Sequence, residues 1–200
     1  MEPVAGAPLP HLHHHAVQFY GSEESLFTTV AGFLGEGLVT MQPAVVIATP
    51  KHRLAIEEHL CGRLIDCVQA RRNGDLVMLD AEELLGQFMI GDEPNAELFE
   101  QNVGVVVKQM LDGRGHTVVR AYGEMVDVLW KRGRSEAAIK VEILWNRLAA
   151  KYSFALLCGY AMGNFYKQAQ QLEDICALHT HVTGPDNVAP FDPRRIARSA

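Results

Sequence analysis

The stretch AVVIAT, residues 44–49, constrains the fold more than any other segment of the chain. It is short, apolar and β-branched, and neither of its alternating faces carries a charge. A strand of that kind has to be covered on both sides, as a central strand is in a parallel sheet packed between helices. Pro50 follows at once, in the first-turn position that proline favours in a helix.

The rest of the chain keeps the same alternation. Residues 16–20 read as a strand, and Ser22 as the N-cap of a helix whose Glu23 and Glu24 suit the positive end of the helix dipole. Leu26, Val30, Phe33 and Leu34 recur at helical spacing until Gly35 and Gly37. Leu54, Ile56 and Leu60 carry a second helix to Gly62. Residues 76–80 are a third strand, followed by a short helix over 81–89, the loop IGDEPN, a longer helix over 96–111 and a fourth strand over 117–122. The cleanest helix spans 135–152, with Ala137, Ala138, Val141, Leu144, Trp145 and Leu148 on one stripe. A fifth strand at 154–160 and a last helix at 163–179 complete the series. The pattern predicts an α/β fold, a mainly parallel central sheet of about five or more strands with helices on both faces. One domain over residues 15–183 is expected, with mobile tails at 1–14 and 184–200.

Bulk properties exclude several classes. A chain of 200 residues with net charge −6 has no concentrated basic surface for direct nucleic-acid contact, and the Arg194, Arg195, Arg198 group is too short to change that. No apolar run approaches about 18 residues, and the N-terminus lacks the pattern of a secretory signal. Four scattered cysteines make no disulfide framework. The expectation is a cytoplasmic protein with no membrane contact.

In an open parallel sheet, ligands bind beyond the carboxyl ends of the strands. The segment HAVQFYGSEESLF, residues 15–27, has the strand–turn–helix form of a phosphate-binding loop, but Gly21 is followed by Ser22, Glu23 and Glu24 with no lysine. The architecture survives there without the phosphate chemistry. Three strands end in tyrosine beside glycine, and tyrosine suits the wall of a small pocket. Asp80 reads as an N-cap. Glu124, at the root of the apolar segment 125–130, needs a partner such as Arg120 or a ligand. His179 shares a helical stripe with Cys176. A metal site would need further ligands, for which His15 and Cys158 are the candidates, while a hydrogen-bonded core histidine is the plainer reading. No catalytic motif for nucleophilic, metallohydrolase or dinucleotide chemistry is present, and no enzymatic activity is expected.

The segments HAVQFY, VRAYGEM, VEILWN and FALLCGY, in that order, resemble the MEDS family, the sensory domains of methanogens, methylotrophs and DcmR-type regulators; the match runs from about His15 to Val182. The resemblance implies a signal-sensing domain of RecA-like fold without Walker motifs. It also implies a small organic ligand and an output through a histidine kinase or transcription regulator; with no such module in the sequence, the expectation is action in trans or an excised sensor domain. The family's recurrent positions fall on His15, Phe19, Tyr20, Arg120, Glu124, Glu142, Trp145, Cys158, Tyr160 and His179. The expected binding cavity lies at the carboxyl rim between Tyr20, Glu124, Cys158 and Tyr160, with His15 and His179 nearby. No cofactor is specified, although a metal or haem variant rests on the histidines and cysteine. Two other readings are a degenerate nucleotide-binding protein and a ligand-free homodimeric scaffold, with Trp130, Trp145 and the long helix as the candidate interface.

Overall fold

AVVIAT forms β2 (Ala44–Ala48), and all five residues of the strand are buried. In this computed structural model, which describes residues 14–115, 117–165 and 169–185, β2 lies inside a six-stranded sheet. The other strands are β1 (His14–Tyr20), β3 (Leu76–Asp80), β6 (Val119–Gly123), β7 (Phe154–Ala161) and β8 (His181–Thr183). Their order is β3-β2-β6-β7-β1-β8, and every neighbouring pair is parallel. The expected N-terminal tail up to residue 13, and residues 186–200 of the expected C-terminal one, lie outside the described residues.

Helices cover both faces. Packed on one face are α1 (Glu23–Val39), α2 (Pro50–Gly62) and α3 (Cys67–Arg72), which bury Leu26, Val30, Leu34, Ile56, Leu60 and Cys67. On the other lie α4 (Ala81–Phe88), α5 (Ala96–Phe99), α6 (Val105–Leu111), α7 (Met125–Lys131), α8 (Ser135–Ala149) and α9 (Ala169–Leu178). The fold is therefore the parallel α/β class read from the sequence, consistent with a RecA-like architecture. Among the described residues no helix is long and apolar enough to cross a membrane.

Several elements escaped the periodicity. The edge strand β8 is only three residues long, too short for an alternation to register. The IGDEPN loop contains an antiparallel ribbon of β4 (Met89–Ile90) and β5 (Glu93–Pro94). Residues 96–111 are helical throughout, but a π-helical turn at Glu100–Gly104 separates α5 from α6.

Strand parity decides what each side chain meets, because neighbours along a strand point to opposite faces. Val17 and Phe19 of β1, and Leu156, Cys158 and Tyr160 of β7, face α4–α9. Tyr20, Tyr122 and Leu157 face α1–α3. The helices following β1 and β2 lie on one face and those following β6 and β7 on the other. The carboxyl ends of β2 and β6 thus flank a crevice at which the connections diverge, the position where open α/β sheets bind ligands.

Gly159 of β7 permits one close approach. A Cβ there would lie 2.9 Å from the Tyr122 hydroxyl oxygen and 3.2 Å from Leu26 Cδ1. Tyr122 is fully buried and its hydroxyl donates to Glu124, so it has no room to yield. Gly159→Ala is expected to cost about 1–3 kcal/mol of stability in urea unfolding, as overpacked cores do.

Candidate functional site

At the crevice between β2 and β6 the sequence places an acid directly after a strand. Glu124 follows β6 and is 3% exposed. Its carboxylate accepts from the Thr49 backbone N–H at the end of β2, from His52 Nδ1 at 2.6 Å and from the Tyr122 hydroxyl at 3.2 Å. A carboxylate has no proton to give, so His52 Nδ1 carries the hydrogen. His52 Nε2 lies 3.4 Å from Glu23 Oε1, and Glu23 is held by Lys51 Nζ at the surface. Phe27 packs edge-on against the His52 ring at 5.0 Å. A hydrogen-bonded chain thus runs from the buried Tyr122 to solvent through the first turns of α2 and α1. Burial works against a charged His52, but the hydrogen bond and charge of Glu124, then those of Glu23, outweigh it and raise its pKa.

A second group closes the rim over β1 and β7. Asp127 of α7 is 3% exposed and accepts from the Tyr20 hydroxyl at 3.0 Å. It also accepts from the Ala161 N–H at 3.0 Å and Asn164 Nδ2 at 2.8 Å, and pairs with Lys131 at 2.7 Å. Burial, then the charge of Asp127, pushes the Tyr20 phenol far above its ordinary range, so it acts as a donor.

A third group lies in mid-sheet under α8 and α9. Glu142 has no exposed surface. It accepts from the Tyr160 hydroxyl at 2.9 Å and the Cys158 thiol at 3.4 Å, with His15 Nε2 at 3.2 Å and His179 Nε2 at 3.5 Å. Burial alone would raise its pKa, but the charge of His179 and the hydrogen bond of His15 hold it well below the carboxylate range. His179 is raised in turn, with burial opposing and Glu142 prevailing. Burial, followed by the Glu142 charge, keeps Cys158 and Tyr160 protonated in this arrangement.

The expected residues therefore fall in separate places. His15, Glu142, Cys158, Tyr160 and His179 meet around one carboxylate, and Cys176 stands apart from them. Tyr20 and Glu124 belong to the rim, on the face opposite Tyr160, so the sheet divides the single cavity expected between them. Phe19 stacks on Tyr160 at 6.0 Å and meets Phe165 edge-on. Trp145 packs edge-on against Phe99 at 5.3 Å. Trp130 and Trp145 are both buried, which removes them as a dimer interface.

Arg120 is not the partner of Glu124. Four residue steps along the strand separate the two by roughly 13 Å, and Arg120 sits at the amino end of β6. There it donates to Gln42 Oε1 at 2.8 Å and the Phe33 carbonyl at 3.0 Å. It lines a cavity of about 650 Å³ with Gly35, Glu36, Val39, Thr40, Arg63 and Ile65. Sequence reasoning missed His52, Asp127 and Asn146. A signal existed for the first two: His52 stands two residues after Pro50 at a strand's carboxyl end, and Asp127 is a lone acid within the apolar run 125–130.

The chain matches, over residues 14–180, the family model described as MEthanogen/methylotroph, DcmR Sensory domain. No curated protein matches it.

The His52–Glu124 pair has a defined pH signature. Below the ordinary histidine value of 6.5, His52 is protonated both folded and unfolded, so the pair contributes fully. As the pH rises through the raised folded-state value the proton leaves and that contribution is lost. His52→Gln is expected to cost about 2 kcal/mol near pH 6 and distinctly less at alkaline pH. Urea unfolding of both proteins across the range measures the difference; an equal cost at every pH would show that His52 is neutral throughout.

Proposed function

The chain belongs to the MEDS family of sensory domains, and from that premise we propose that it is a cytoplasmic receptor whose ligand is a small, largely apolar organic molecule with one polar group. The ligand binds at the carboxyl rim, and the bound state regulates a histidine kinase or transcription regulator. The domain works by binding and has no reaction of its own to perform.

The observation that carries this reading is the buried Glu124–His52 pair at the crevice between β2 and β6. Glu124 holds the start of α2 twice, through the Thr49 N–H and through His52. A ligand group that donates to Glu124 in place of His52 releases the first turn of α2 from α7. That gives two arrangements of one helix start, and the ligand biases them by its different affinity for each. Tyr20 and Phe27 offer apolar ring faces beside the polar pair, the combination typical of small-molecule sites. At the far end of the sheet, the exposed Val39, Met41 and Leu64 adjoin the cavity lined by Arg63 and Ile65, a surface suited to the output partner.

Nucleotide binding is disfavoured at the β1–α1 turn. Ser22 Oγ is engaged in capping the Ser25 N–H, and Glu23 and Glu24 occupy the first turn of α1. Their negative charge opposes a triphosphate.

Mass spectrometry of small molecules retained by the native protein supplies candidates, and thermal shift assays rank them. A ligand at a hundred times its Kd is expected to stabilise by about 2.7 kcal/mol. The effect should fall at least tenfold in apparent affinity in Glu124→Gln and Tyr20→Phe. Micromolar binding of magnesium-ATP by calorimetry, untouched by Glu124→Gln, would replace this reading with the nucleotide one.

A further inference from the structure

The mid-sheet group brings four ligand atoms close enough together for one metal ion to gather. His15 Nε2 lies 3.4 Å from Cys158 Sγ and 3.2 Å from Glu142 Oε2. Cys158 Sγ lies 3.4 Å from the same Oε2. His179 Nε2 lies 3.5 Å from Glu142 Oε1, and one atom from each of the four residues falls within 4.8 Å of all the others. Bonds of about 2.0 Å to nitrogen and oxygen and about 2.3 Å to sulfur define a tetrahedron with edges of about 3.3–3.5 Å.

The outer hydrogen bonds fix which way each ring presents itself. Asn146 Nδ2 donates to the Leu178 carbonyl at 3.0 Å, so its Oδ1 is turned to His15 Nδ1 at 2.9 Å. His15 Nδ1 therefore carries the hydrogen. His179 Nδ1 lies 2.7 Å from the Ile175 carbonyl, which only accepts, so it carries one too. Both Nε2 atoms of the neutral rings thus aim a lone pair at a carboxylate. His179 has no exposed side-chain surface, and its Nε2 makes no oriented hydrogen bond. A proton on His15 alone leaves the His179 lone pair facing Glu142. Protons on both place two imidazolium rings with centroids 4.1 Å apart among buried side chains. One divalent cation satisfies both rings, the carboxylate and the sulfur together.

We infer that His15, Glu142, Cys158 and His179 form a buried four-ligand site for a divalent transition metal of the zinc type. Two neutral imidazoles, one thiolate and one carboxylate suit that ion and balance its charge. Binding displaces the Cys158 thiol proton to solvent. Tyr160 holds Glu142 Oε1, which leaves Oε2 for the metal, while Asn146 and the Ile175 carbonyl orient the two rings, as outer hydrogen bonds do at metal centres. The ion ties β1, β7 and α8 to the junction of α9 and β8, so metal binding and docking of the C-terminal part of the domain are one event. The inference is independent of the rim as a ligand site.

Cobalt(II) tests it. The full chain, produced without a tag or nickel resin, is unfolded with chelator and refolded with cobalt chloride. One equivalent should remain after gel filtration, with the visible bands of a tetrahedral ion and a near-ultraviolet thiolate-to-cobalt transition. Both signals should disappear in Cys158→Ser and His179→Ala, and Asn146→Leu should weaken affinity about 10- to 100-fold. They should survive in Cys61→Ser/Cys67→Ser, which removes the close thiol pair outside the site, and in His11→Ala/His13→Ala/His14→Ala, which removes the N-terminal histidines other than His15. The wild-type spectrum decides the matter even where a variant fails to fold. Cobalt bound without a thiolate transition, less than stoichiometric cobalt, or signals lost in either control variant would overturn the assignment.

Discussion

A parallel sheet covered on both faces leaves no water for a charged side chain in its middle. A charge inside such a sheet has to sit at an end of the strands or be matched where it lies. Glu124 and Asp127 take the first course. They stand just beyond the carboxyl ends of β6 and β7, each with at least three donors, and each reaches solvent through a lysine-bearing neighbour. Glu142 takes the second. It lies on the inner stripe of α8 with no exposed surface, and two histidines, a thiol and a phenol surround it. The polar architecture of the domain follows from that division.

The two arrangements differ in what they are suited to do. The rim groups are joined to the surface and fasten helix starts, so a molecule arriving from solvent can compete for their hydrogen bonds. The mid-sheet group is buried within the core that also holds Phe165, Leu172 and Ile175, so it suits a resident component that enters with folding. A sensory domain needs both properties: a rigid body, and an element near the surface whose position a ligand biases. Placing them at the strand ends and on the buried face respectively keeps either from compromising the other.

Much of the candidate site was within reach of sequence reasoning as a set of residues, but not as an arrangement. Nine of the ten expected positions lie at the carboxyl rim or on the face covered by α4–α9, and Arg120 lies in neither place. Their grouping followed parity. Tyr160 and Tyr20 both end strands beside glycine, yet one faces α8 and the other α1. The partners were farther from view. His52 meets Glu124 across 72 residues and His15 meets Glu142 across more than half the chain. Glu142 itself sits within a helical stripe whose other members are core residues, so its burial is visible in the pattern while its partners are not.

The sequence by itself determined the fold class, because AVVIAT and FALLCGY are strands that only a doubly covered parallel sheet can bury, and helical periodicity fills the intervals between them. It also determined that the first turn lacks the lysine of a phosphate-binding loop, since Ser22, Glu23 and Glu24 follow Gly21. Tertiary structure alone decided strand order, and with it which face each side chain enters and which carboxylate meets which histidine. The physical reason is the range of the interactions: periodicity and capping act within a few residues and are written locally, whereas strand pairing and buried charge are settled by segments that meet only when the whole sheet assembles.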